Sequence, residues 1–104
     1  MAWKRNAAFV DLSSGEVEVR EIPRELRELF LGGRGIDMYL LYNMVKPGID
    51  PLGPENVLLV SGGPLVGTPS PAGSRTHIGG KSPLTNMIGS ANMGGFFSAE
   101  LRFA

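Results

Sequence analysis

The stretch NVLLVSGGPLVGTPSPAGSRTHIGG, residues 56–80, separates two chemically different halves of the chain. It opens on a continuous apolar run, 56–61, with β-branched residues, which predicts a buried strand. Closely spaced glycine and proline follow, and a second strand is predicted around Arg75–Ile78. On the N-terminal side, residues 1–55 carry seven basic and nine acidic side chains. On the C-terminal side, residues 56–104 carry only Arg75, Lys81, Arg102 and Glu100. A solvated surface holds more charge than that. The second half is therefore expected to be buried in something larger, or wrapped around a ligand, with a small positive bias.

The composition narrows the function classes. A chain of 104 residues is at most one small domain with a thin core. Its formal net charge is zero, which gives no reason to expect a nucleic acid or a membrane surface as partner. It has no cysteine, so it cannot by itself build a disulfide framework, a thiolate metal site or an iron–sulfur cluster. No apolar run reaches the length of a membrane span, and the start lacks a signal-peptide pattern, so a cytoplasmic protein is expected. Fifteen glycines and eight prolines are many, yet no low-complexity repeat accompanies them, which argues for ordered, glycine-dependent backbone.

Outward from the central stretch, AAFVDLSSGEVEVREI reads as a β-hairpin. Residues 9–12 and 17–22 form its strands, and Ser13, Ser14 and Gly15 supply the turn. PRELRELFLGG predicts a short amphipathic helix with Pro23 at its first position, Leu26, Leu29 and Phe30 on one face, and Gly32 or Gly33 at its end. GIDMYLLYNMV predicts a second helix with Ile36, Leu40 and Met44 on one stripe, stopped by KPG at 46–48. Residues 95–103, GFFSAELRF, predict a third helix behind a glycine pair.

Several positions could carry chemistry. GGPLVGT at 62–68 has the glycine spacing of a phosphate-cradling loop but lacks the lysine such a loop needs before its hydroxyl, so a tight turn after a strand is expected. Gly94 and Gly95 are placed at the start of the last helix, where free amides and the helix dipole favour an anion. Asn92 offers an amide oxygen to a phosphate-bound cation. An ordinary capped helix is the plainer account of the same residues. Arg75 ends a run of uncharged residues that begins at Asn56, and its planar fork suits a phosphate or a heterocycle edge, with a salt bridge or a surface arginine as the alternative. Lys81 reads as an exposed turn residue. His77, the single histidine, reads as a packing or surface residue without a close carboxylate, hence without a metal site.

The ordered set GGRG (32–35), DPLGPENVLLVSGGPLVGT (50–68), AGSR (72–75), KSPLT (81–85) and ANMGGFFSAELRFA (91–104) resembles the N-terminal domain of the aldehyde ferredoxin oxidoreductase family. The resemblance covers nearly the whole chain. It implies an α+β fold, a mainly β base with short helices, of which residues 1–104 are an incomplete first half of a tungstopterin-binding domain. Members of that family oxidise aldehydes to carboxylic acids and pass the electrons to ferredoxin. Their tungsten, or molybdenum, is held by two pterin dithiolenes beside a 4Fe–4S cluster. The resemblance implies that Arg75 contacts a pterin and that Asn92 is a ligand to a magnesium ion joining the pterin phosphates. It implies that Gly94, with Gly95 behind it, meets the cofactor through backbone.

The cluster cysteines and the catalytic pocket would lie in the remainder of a longer chain, and the family pattern is compatible with a homo-oligomer. Met93 departs from the pattern, which favours a smaller residue there. Two alternatives stand beside this reading. One is a small non-catalytic subunit whose apolar end (Phe96, Phe97, Leu101, Phe103) is a protein interface. The other is a relative of the family that acts on another oxo-acid or acyl substrate. Alone, residues 1–104 are expected to be inactive and to leave an open sheet edge.

Overall fold

The computed structural model describes residues 5–104, folded as two small antiparallel sheets and three helices. A hairpin forms where one is expected, but its first strand covers residues 6–10 instead of 9–12, because Asp11 and Leu12 belong to the turn. Strands β1 (Asn6–Val10) and β2 (Val17–Glu21) pair in the register Ala8↔Val19. Asp11 organises the turn, because its carboxylate accepts the amides of Ser13 and Ser14, while Gly15 takes the left-handed conformation (φ +76°) that closes it. Arg20 lies over the Phe9 ring, 4.6 Å from its centroid.

Pro23 caps helix α1 (Arg24–Phe30), whose extended φ/ψ of −53° and 143° suits the entry to a helix. The chain then turns through Leu31, Gly32 and Gly33 straight into helix α2 (Arg34–Met44). Leu31 and both glycines have positive φ, and a Cβ at Gly35 would collide with the Phe30 carbonyl oxygen. The corner is thus built from residues that let two helices meet without a linker, with Phe30 and Tyr39 rings 5.1 Å apart across it. The buried stripe of α2 is Ile36, Asp37 and Leu41; Leu40 is half-buried and Met44 exposed, one step away from the predicted stripe. Helix α1 buries no residue fully, and Leu29 on its expected apolar face is exposed.

The second sheet holds β3 (Leu59–Gly62), β4 (Thr76–Lys81) and β5 (Ile88–Met93) in the order β3-β4-β5. Here the apolar run 56–61 behaves differently from its expectation. It enters the sheet only at Leu59, as an edge strand, and Leu58 is exposed. Asn56 explains the delay: its side-chain amide donates to the carbonyls of Pro51 and Lys81, which holds this segment to the end of β4 without ladder pairing. Strand β4 begins at Thr76 and runs on to Lys81, so Lys81 is a half-buried strand end whose Nζ donates to the Ile49 carbonyl at 2.7 Å, not an exposed turn residue. Strand β5 has no counterpart in the sequence-based expectation.

The core lies where α2 packs on β3 and β4, and where helix α3 (Phe97–Phe103) packs on β3. Ile36, Leu41, Ile49, Val66 and Ala99 are its buried apolar residues, joined by the buried polar side chains Asp37, Thr76, His77 and Ser98. Segment 62–68 makes ordinary turns, closed by Val66 N–H to the Gly63 carbonyl and Thr68 N–H to the Leu65 carbonyl. Arg102 on α3 clamps them by donating to the carbonyls of Pro64 and Val66.

Candidate functional site

A cleft of about 460 Å³ opens where the α1–α2 corner, the 62–65 turn and the adjacent ends of β4 and β5 converge. Glycines expose backbone in its walls, Gly32 and Gly33 from the corner, Gly63 from the turn and Gly73 from the loop before β4, and Pro64 and Leu65 add apolar side chains. Arg34, Arg75, His77 and Asn92 supply the polar side chains. No carboxylate stands among the described residues that line it.

Pairing of β4 with β5 builds the polar wall. Side chains alternate along a strand, so Arg75 and His77 share a face of β4. His77 lies opposite Asn92 in the antiparallel register, which turns the Asn92 side chain to that same face. Arg75 immediately precedes the ladder and makes no hydrogen bond or ion pair with a described residue, so neither the salt bridge nor another internal partner uses its guanidinium. Gly94 immediately follows Met93, the partner of Thr76, and so stands at the same end of the ladder as Arg75. A Cβ built at Gly94 or at Gly63 meets nothing within 4 Å, which leaves open space over both backbones.

Two placements differ from the sequence-based expectation. Helix α3 starts at Phe97, with Phe96 as its cap, so Gly94 and Gly95 precede the helix and supply none of its free first-turn amides. Gly95, with φ +96°, turns the chain from β5 toward α3. Asn92 belongs to a strand and owes its position to pairing. The corner residues Gly32, Gly33 and Arg34 escaped the residue-level reading as site residues, although the paired glycines of GGRG are the signal that marks them.

Behind the wall lies a buried polar chain. Asp37, from the first turn of α2, accepts a hydrogen bond from Ser61 Oγ at 2.5 Å and stands 2.6 Å from His77 Nδ1. The other ring nitrogen, Nε2, lies 2.8 Å from Ser90 Oγ on β5. His77 and Asp37 are 4 % and 2 % exposed. The histidine is thus a packing residue, as expected, but it does have a close carboxylate. With Asp37 as acceptor, Nδ1 carries a proton. Among the described residues no group of three His, Cys, Asp or Glu side chains could hold a metal ion.

The electrostatics of the cleft favour an anion. Arg34 and Arg75 line it, and Arg5 supports it from behind by donating to the Gly62 carbonyl. Burial, and then the charges of Arg102 and Arg27, hold the Arg5 guanidinium below its ordinary pKa. Exposed backbone, two guanidiniums and a single amide suit an anionic ligand that is contacted closely.

Comparison with known proteins agrees with this architecture. Residues 7–104 match the family described as "Aldehyde ferredoxin oxidoreductase, N-terminal domain". The chain is 50 % identical over 95 residues to the tungsten-containing aldehyde ferredoxin oxidoreductase of Pyrococcus furiosus and 52 % identical over 95 residues to that of Thermococcus kodakarensis. In each case the match covers 91 % of this chain and 16 % of the relative, so the chain spans about a sixth of their length. Among solved structures, it superposes with a TM-score of 0.90 and 36 % identity on a chain of the BamBC active-site complex of benzoyl coenzyme A reductase with 1,5-dienoyl-CoA, covering 94 % of this chain and 15 % of that one. Among the described residues, no helix is long and apolar enough to cross a membrane. The family match and these identities place the chain in the aldehyde ferredoxin oxidoreductase family, within its N-terminal domain.

Proposed function

We propose that this chain is the cofactor-seat portion, a partial N-terminal domain, of a tungsten-pterin aldehyde:ferredoxin oxidoreductase. The observation that carries the reading is the convergence of Arg75 and Asn92, from neighbouring strands, on one glycine-walled cleft without lining carboxylates. A bis-pterin is flat, doubly anionic through its phosphates, and bulky. The open space over Gly63 and Gly94 and the guanidinium of Arg75, which pairs with no described residue, fit such a group. In this reading Arg75 binds a pterin edge or phosphate through its planar fork. Asn92 would hold a magnesium ion through its amide oxygen, as one of the few protein ligands such an ion takes. Gly94 and then Gly95 keep the backbone close to the cofactor.

The bound tungsten centre would supply the two-electron oxidation of an aldehyde to a carboxylic acid. The residues described here bind and orient it, and Arg34 with Arg75 offsets its negative charge. The chain has no cysteine, so the 4Fe–4S cluster, the route to ferredoxin and the aldehyde pocket belong to the remainder of the catalytic polypeptide. Molybdenum in place of tungsten would use the same seat.

A second reading is favoured by the likeness to the benzoyl coenzyme A reductase complex: the same seat could serve a relative acting on an acyl substrate. The identities of 50 % and 52 % to aldehyde oxidoreductases favour the first. The test is anaerobic purification of the full polypeptide bearing this sequence from tungstate-supplied cells. Stoichiometric tungsten and pterin, with aldehyde-dependent reduction of ferredoxin, is the expected result. Metal-free, pterin-free protein would overturn the cofactor seat, and a loaded protein inert to aldehydes but active on an acyl thioester would select the second reading.

A further inference from the structure

The buried chain Ser61–Asp37–His77–Ser90 is used by nothing in the proposed binding scheme, yet it ties together α2, β3 and the two strands that carry the polar wall of the cleft. Asp37 belongs to α2, Ser61 to β3, His77 to β4 and Ser90 to β5. We infer that Asp37 and His77 are a positioning pair that fixes strand β5 through Ser90, and with it holds Asn92 against the ligand in the cleft.

The chemistry is directional. The Asp37 carboxylate accepts from Ser61 Oγ and from His77 Nδ1, so the ring is held in one orientation by a buried acceptor. Nε2 then meets Ser90 Oγ at 2.8 Å. Both ring nitrogens are therefore engaged, and the imidazole offers the ligand no hydrogen bond of its own. Its effect passes to β5. Ser90 and Asn92 are two apart on one strand and share a face, and His77 is the cross-strand partner of Asn92. Ser90 is exposed, so its oxygen keeps hydrogen-bonding capacity for an outside group while its orientation is set from within. A residue that orients a ligating side chain commonly accounts for roughly 10–100-fold in affinity for what that side chain holds. The inference rests on the cofactor-seat reading and deepens it, adding Asp37, His77 and Ser90 as residues that act on the ligand through the placement of Asn92.

Three variants of the full polypeptide test it, read by tungsten, pterin and magnesium per chain after a timed exposure to EDTA, together with the thermal midpoint. His77→Asn retains a donor near the Nδ1 position for Asp37 but cannot reach Ser90, and Ser90→Ala removes an exposed hydroxyl. His77→Gln keeps a group near the Nε2 position. We expect His77→Asn and Ser90→Ala to lose magnesium and cofactor about tenfold faster than the parent, with midpoints close to it, and His77→Gln to recover part of the retention. If both leave retention unchanged while Arg75→Ala and Asn92→Ala lower it, the positioning role is overturned and the seat stands. If Arg75→Ala and Asn92→Ala also retain full cofactor, the seat itself is wrong.

Discussion

Asp37 and His77 are 40 positions apart in sequence and 2.6 Å apart in the fold, both nearly inaccessible to solvent. That pair welds the N-terminal half of the chain to the sheet that carries the cleft, since α2 reaches β4 through it.

Removing one partner leaves the other buried without compensation. Asp37→Ala is expected to cost about 3–5 kcal/mol, because both Ser61 and His77 lose their acceptor. A denaturant titration of the full polypeptide should show the fall in midpoint; an unchanged midpoint would mean the pair contributes nothing to stability.

Arg75→Ala should separate binding from folding. The guanidinium is exposed and pairs with no described residue, so the change should alter stability by no more than about 0.5 kcal/mol. Cofactor content should nonetheless drop, and Arg75→Lys should restore it only in part, because a lysine lacks the planar fork. Full pterin content in purified Arg75→Ala protein would remove this residue from the site.

Gly63→Val makes a complementary case. A Cβ there meets nothing within 4 Å, so the fold should tolerate the substitution, while the added atoms project into cleft space. The expected signature is a folded, soluble protein with reduced tungsten and pterin. A fully loaded variant would show that the ligand does not approach the turn.

Gly35→Ala addresses the corner. The new methyl would meet the Phe30 carbonyl oxygen, and a cost of about 2 kcal/mol is expected from forced displacement of α1 against α2. Gly48→Ala, in open space but at φ +80°, should cost about 1 kcal/mol through its backbone conformation alone. Equal effects from the two would refute the packing account of Gly35.

The hairpin turn should respond to acid. Amide hydrogen bonds, first from Ser13 and then from Ser14, hold the Asp11 carboxyl below its ordinary value. A group whose folded pKa is depressed stabilises the fold above its unfolded pKa and loses that contribution as pH falls through the folded one. The Ser13 and Ser14 amide resonances should therefore shift toward random-coil positions only below pH 3.8, the ordinary value for the group. Asp11→Ala should abolish that titration, and its persistence would assign it elsewhere.

What was legible in the sequence follows from how local each signal is. The hairpin and a helix entered at Pro23 rest on short-range chemistry and are present, although the first strand lies at Asn6–Val10 instead of 9–12 and Pro23 caps α1 instead of opening it; Arg75 and Asn92, singled out by residue type, both line the cleft. Strand β5 was invisible because TNMIGSANM mixes small and polar residues without alternation, and only pairing with β4 makes it a strand. The α2 stripe was misjudged by one position for a related reason: Asp37 looks like a surface residue until His77 and Ser61 are placed against it. Gly94 and Gly95 looked like a helix start because the apolar residues that follow them do form a helix, one that begins two residues later.

A wall made of backbone can change in one direction only. Every substitution at Gly32, Gly33, Gly63 or Gly73 adds atoms, so point variation can narrow this cleft at four places and widen it at none of them. Enlargement is left to the lining positions that carry side chains, among them Leu65 and Arg34. A bulkier occupant calls for a trimmed side chain at one of those positions, whereas a slimmer one needs just one glycine replaced.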